Sequence, residues 1–181
     1  MLQQATGSDH ARLDGLVSGL DFANEANYRR FLTSTHAALA GLEQQLERSN
    51  VSGLLQDWAQ RRRRFALAED LGALGADAGQ PMQGPSKGKL TSDEMLGTLY
   101  VLEGSRLGAT VLAARAADSS SAAVRDNVRY LTHGRDGRFW RSFLSLLADA
   151  SAVDTQPMIA SAHAAFAIFT RAFEAQGAAL R

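Results

Sequence analysis

This 181-residue chain has no cysteine and only four histidines, His10, His36, His133 and His163, so metal or acid–base chemistry has few places to begin. His10 stands apart because Asp14 lies four residues later, on the same face of a helix. A carboxylate so placed can accept a hydrogen bond from one ring nitrogen and leave the other free for a metal. Taken alone, the pair is equally an ordinary surface i,i+4 contact. The absence of Glu-x-x-His and His-x-x-x-His spacings speaks against a di-iron carboxylate bundle and a two-histidine helical zinc site. A second pattern is Gly104 and Gly108, four apart in an alanine-rich stretch that also holds Gly97. Each glycine inside a helix costs about 1 kcal/mol relative to alanine. Either a neighbouring helix packs closely there, or a flat ligand lies on bare backbone with room for a small gas molecule. A third pattern is Arg138 and Arg141 around Trp140, two guanidinium forks that suit carboxylates or else simply line a solvated helix edge.

The elements that must position these residues are helices. The chain contains 32 Ala and 24 Leu against 7 Val and 2 Ile, which points to an all-α fold because the first two favour helices and the last two strands. Its length fits one domain, residues 1–181. Periodicity predicts a first helix capped by Thr6 or Ser8 and running to Leu20. A second is capped by Asn24 or Asn27 and carries Tyr28, Phe31, Leu32, Leu39 and Leu46 inward. A third is predicted from Leu54 to Leu74, with Arg61 to Arg64 in its middle. A Gly/Pro-rich loop follows over 75–88, including Gly84 and Pro85. Thr91-Ser92-Asp93-Glu94 then reads as a capping box opening a long fourth helix from Ser92 to Ala117. Further helices are predicted over Ala122–Thr132, Arg138–Leu147 and Pro157–Gln176, the last with proline in its first turn.

Composition also excludes. Nineteen basic and nineteen acidic residues leave no net field to draw nucleic acid or an anionic membrane. Four consecutive arginines on a helix point in four directions instead of forming a patch. No segment approaches the roughly 18 apolar residues of a membrane span. The first residues lack a basic, then apolar, export signal, so the expectation is a cytoplasmic protein that binds neither nucleic acid nor membrane.

The run from Gly97 to Ala109 contains Leu99-Tyr100-Val101-Leu102-Glu103-Gly104-Ser105-Arg106-Leu107-Gly108. It resembles the distal helix of bacterial haem oxygenases, which carry Leu-Tyr-Val-x-Glu-Gly-Ser-x-Leu-Gly. Ala5 to Asp14 is similar to their proximal segment. Tyr28 to Leu32, Asp70 to Gly75 and the phenylalanines Phe166, Phe169 and Phe173 fit as well, so the resemblance spans nearly the whole chain. It implies a single-domain haem-oxygenase-like helical bundle with haem between the first and fourth helices. His10 matches the proximal iron ligand and Asp14 the acid that orients it. Gly104 and Gly108 match the glycines whose backbone lies over the haem, and Ser105 the polar distal turn that helps order water. Tyr100 matches a tyrosine that contacts a haem propionate in some members. Arg138 and Arg141 lie where the family places basic propionate partners. Gln3 departs from the pattern, since many relatives have lysine seven residues before the ligand.

The resemblance implies oxidative cleavage of haem to biliverdin, CO and ferrous iron, with haem as both substrate and cofactor. No flavin or nicotinamide fingerprint occurs, so electrons would come from a redox partner such as a ferredoxin or an NADPH-dependent reductase. Biliverdin would supply a bacteriophytochrome, or the reaction would release iron for the cell. Two other readings stand beside this one. A module that has lost catalysis and kept a regulatory or protein-binding role would bind little haem. A haem carrier or gas sensor would bind it without turnover.

Overall fold

The computed structural model describes residues 1–83, 88–150 and 154–178, with side chains to 176. Gly84 and Pro85 of the sequence-predicted loop lie outside these residues. Among the described residues the secondary structure is entirely helical. A single turn, α1 (Leu2–Ala5), leads into α2 (Gly7–Ser18), followed by α3 (Glu25–Arg48). Two pieces, α4 (Trp58–Arg61) and α5 (Arg64–Ala73), precede the long α6 (Ser92–Ala117). After the single turns α7 (Ala122–Arg125) and α8 (Arg129–Thr132) come α9 (Arg138–Asp149) and α10 (Thr155–Ala178).

Local chemistry explains the helix ends that agree with the sequence reading. Asn24 Oδ1 accepts from the Ala26 and Asn27 amides at the start of α3, satisfying donors that a helix N-terminus leaves open. Thr91 Oγ1 accepts from the Glu94 amide, and the Glu94 carboxylate accepts from the Thr91 amide. That reciprocal pair opens α6 at Ser92 as expected.

Three predicted helices differ, the first through a contact within its own turn and the other two through a tertiary contact. The first begins as a separate turn, because Thr6 is buried and its hydroxyl donates back to Leu2 O instead of capping α2. The third is broken at Arg62, whose backbone is extended. Glu43 of α3 supplies the reason: its carboxylate accepts from the Arg63 and Arg64 amides, capping α5 from 20 residues away. The predicted Ala122–Thr132 helix splits because Asp70 accepts from the Arg129 and Tyr130 amides and so opens α8 afresh. Tyr28 meanwhile donates to Asn127 O in the intervening turn.

The core lies where α10 packs along α6 and against α3, with α5 on the far side of α3. Phe31, Leu39, Leu99, Leu102, Phe166 and Phe173 are buried there. Gly97 is the point of closest approach, since a Cβ on it would stand 1.9 Å from Met158 O of α10. That glycine thus serves helix packing, and it separates from Gly104 and Gly108, with which its spacing had grouped it. No helix among the described residues is long and apolar enough to cross a membrane.

Candidate functional site

The helix that carries His10 lies lightly on the rest of the protein. Every residue of α2 keeps some exposure, and Leu13, Leu16 and Val17 form its partly buried side. α2 and α6 both pack on α10 but have little direct contact with each other. They therefore share α10 as a common support without packing on each other. At one end the Tyr100 hydroxyl of α6 lies near the Thr6 side chain, just before α2. Burial raises the Tyr100 pKa, and the Thr6 side chain opposes that shift.

On the α2 side, His10 Nδ1 lies 3.0 Å from Asp14 Oδ2, and both side chains are well exposed, at 63% and 65%. The ring meets Phe166 of α10 edge-on, with centroids 6.0 Å apart. Asp14 thereby occupies one imidazole nitrogen and leaves Nε2 as a ligand atom. On the α6 side, the Trp140 ring of α9 lies 3.6 Å from where a Gly104 Cβ would sit. A Cβ on Gly108 would meet nothing within 4 Å. Trp140 of α9 thus covers Gly104 at ordinary contact distance, whereas no packed neighbour accounts for Gly108. Around them Leu107 and Val111 of α6 and Leu144 of α9 are exposed at 54%, 64% and 41%. Large apolar side chains left open around bare backbone form a wall suited to a flat apolar ligand. A single imidazole with Nε2 free fits an iron macrocycle that needs one protein ligand and an open opposite face.

The remaining sequence-predicted residues are placed as follows. Tyr100 packs with its ring centroid 5.9 Å from that of Trp140. Arg138 and Arg141 flank Trp140 on the exposed side of α9. Arg138 stacks on Phe139 and lies 3.9 Å from Asp136. Ser105 turns inward. Its hydroxyl donates to Leu102 O at 2.7 Å and accepts from Arg63 at 2.8 Å.

The chain matches the family model described as "Heme oxygenase" over residues 1–175. The chain belongs to the haem oxygenase family. It is 32% identical over 151 residues to "Heme oxygenase PigA" of Pseudomonas aeruginosa, covering 81% of this chain and 75% of that one. Over 170 residues it is 31% identical to the heme oxygenase of Xanthomonas campestris pv. campestris, covering 93% and 94%. Its fold is that of the NO- and CO-bound heme oxygenase from Neisseria meningitidis, with a TM-score of 0.77 at 22% identity over 97% of this chain and 89% of that one.

Sequence reasoning missed the polar cluster behind the glycine wall of this haem oxygenase. Arg61 and Arg63 are among the most buried large side chains, not solvated arms of a continuous helix. Arg61 donates to Glu103, to Phe139 O and to Ser142. Arg106 holds both Glu103 carboxylate oxygens and the Arg61 carbonyl. Arg63 donates to Leu102 O as well as to Ser105 and stacks on Tyr130. One signal was present. Glu103 and Arg106 interrupt the inward-facing apolar row of α6 (Leu96, Leu99, Leu102), and buried charge there calls for buried partners.

His133 belongs to this cluster and predicts a pH dependence. Arg106 Nη1 stands 3.2 Å from its Nδ1 and donates to its carbonyl. Burial first, then the Arg106 and Arg63 charges, lower its pKa from 6.5 to about 4. Between those values the unfolded chain binds more protons than the folded one. The His133 contribution is therefore complete above pH 6.5 and drains away as pH falls towards 4. Wild type should lose more melting temperature between pH 7 and pH 4.5 than His133→Asn, which cannot protonate. Equal losses would show that His133 does not titrate as its surroundings require.

Proposed function

We propose that this chain cleaves haem oxidatively to biliverdin, CO and ferrous iron, with O2 as oxidant and electrons from an external donor. The observation that carries this reading is an exposed imidazole fixed through Nδ1 by Asp14 on α2, together with open space beside Gly108 on α6, both helices being packed on α10. His10 Nε2 would hold the iron, and Asp14 keeps the ring in one orientation. Gly104 and Gly108 keep side chains away from the opposite face. The exposed Leu107, Val111 and Leu144 would cover apolar surface of the bound group. Ser105, held by Arg63, stiffens the distal turn and keeps a polar group beside it. Tyr100, Arg138 and Arg141, around the Trp140 end, would meet the propionates. Bound haem supplies both the oxygen-activating iron and the macrocycle that is oxidised, which is why a protein nucleophile is not needed.

A ferredoxin or an NADPH-dependent reductase fits the donor role, because the sequence carries no cofactor motif of its own. The proposed setting is the cytoplasm, with a bacteriophytochrome or the cell's iron supply as recipient. Purified protein titrated with haemin should give a stoichiometric Soret band, and ascorbate or a reductase should convert it to a bilin spectrum. His10→Ala should weaken that band about tenfold or more in apparent affinity, the scale of losing a strong metal contact. Failure of haemin to bind stoichiometrically would sink the reading. Binding without turnover would leave a carrier or sensor.

A further inference from the structure

The helix that presents His10 is weak on its own terms. α2 has 12 residues, includes Gly15 within it and starts on Gly7. Helices that short are marginal in water without tertiary support. Its support from burial is thin, since none of its residues is fully buried. Two side-chain ties to α10 supplement it. Arg12 reaches Glu174 at 2.6 Å, but that pair is exposed at 65% and 44% and so contributes little. The other is His163 Nδ1 to Asp9 Oδ2, at 2.5 Å and less exposed, at 43% and 34%. It is a short, charge-assisted contact.

Its position matters more than its strength. Asp9 immediately precedes His10, and His163 lies one turn before Phe166, the residue that His10 meets edge-on. One face of α10 therefore grips two consecutive residues of α2, one through a hydrogen bond and one through a ring contact. Together these fix both the distance of α2 from α10 and its rotation about its own axis. That rotation decides where His10 Nε2 points, because Asp14 fixes the ring only relative to α2 itself.

We propose that His163 is a positioning residue of this haem oxygenase, which clamps α2 through Asp9 and so sets the aim of the His10 imidazole. Its value to haem chemistry rests on the reading of His10 as the iron ligand, whereas the clamp itself can be tested without haem. Amide hydrogen exchange in the ligand-free protein reads local opening directly. His163→Ala should speed exchange across Gly7–Ser18 about fivefold while leaving α3 and the middle of α6 unchanged. His163→Asn, whose side-chain amide can put a donor near the Nδ1 position, should restore most of the protection. After loading with ferric haemin, His163→Ala should release haem to excess apomyoglobin about fivefold faster and broaden the axial-ligand signature in electron paramagnetic resonance.

Unchanged exchange in α2 would overturn the proposal, as would His163→Asn behaving like His163→Ala. Should His163→Ala raise exchange throughout the chain, Asp9→Ala decides from the other side of the pair. It must reproduce the change confined to α2, and a failure to do so overturns the clamp. If wild type does not bind haemin, the His10 reading fails on its own, and the exchange experiment still decides the role of His163.

Discussion

Glu103→Gln is expected to destabilise the protein by about 3–5 kcal/mol, the usual scale when one partner of a buried ion pair loses its charge. Glu103 is 1% exposed and lies between Arg61, also 1% exposed, and Arg106, 4% exposed. Its two oxygens accept three guanidinium bonds, at 2.9, 3.1 and 3.2 Å. Glutamine keeps the size but removes the charge and turns an amide donor towards one of two arginines that already repel each other. Burial already strains this group of cations, since it and the Arg63 charge lower the Arg106 pKa. A domain of this size has a total stability of roughly 5–15 kcal/mol, so the loss is a large share of it. Chemical denaturation with an unchanged m-value would measure it. The double variant Glu103→Gln with Arg106→Met should recover a substantial part, because Arg61 retains Asp57 at 2.6 Å and the excess cation is gone. A single-variant loss below about 1 kcal/mol would mean that the cluster is solvated rather than buried.

That cluster also marks the boundary of what the sequence could reveal. Elements whose ends are determined by neighbours in the chain were legible. Asn24 caps the helix it precedes, and Thr91 with Glu94 encodes the start of α6 within four residues. His10 with Asp14 is legible for the same reason, since helical spacing alone brings them to one face. The break between α4 and α5 was not, because the group that caps Arg63 and Arg64 is Glu43 on another helix. The split between α7 and α8 depends likewise on Asp70. The burial of Arg61 and Arg63 was not legible, because the predicted helix carries its periodicity through Arg62, where the backbone is extended.

The glycines show the same division at finer scale. Gly97, Gly104 and Gly108 are equally anomalous in an alanine-rich helix, and spacing cannot say why each is there. Only the partner surface separates them: Met158 O against Gly97, the Trp140 ring beside Gly104, and open space at Gly108. His163 was invisible as a partner for α2, since 154 residues separate it from Asp9.

The open space at Gly108 yields the second large effect, in which stability and binding should move in opposite directions. Gly108→Leu places a strong helix former in the interior of α6, and the new Cβ meets nothing within 4 Å. Helix propensity alone should then stabilise the protein by about 0.5–1 kcal/mol, raising Tm by about 1–4 °C. A leucine side chain there would fill the open space beside Gly108, where the proposed flat ligand must approach the backbone. Haemin affinity should fall by at least about a hundredfold, since overlap with a planar macrocycle cannot be relieved by a small rotamer change. Thr110→Leu, exposed two residues further along on a different face of α6, adds comparable bulk and should leave haemin binding within about twofold of wild type. Loss of binding in both variants would point to a general disturbance of α6. Retention in Gly108→Leu would mean that the ligand does not lie on this stretch of backbone. A variant that melts higher yet no longer takes haem is the outcome expected if the glycine is kept for the ligand at the expense of the helix.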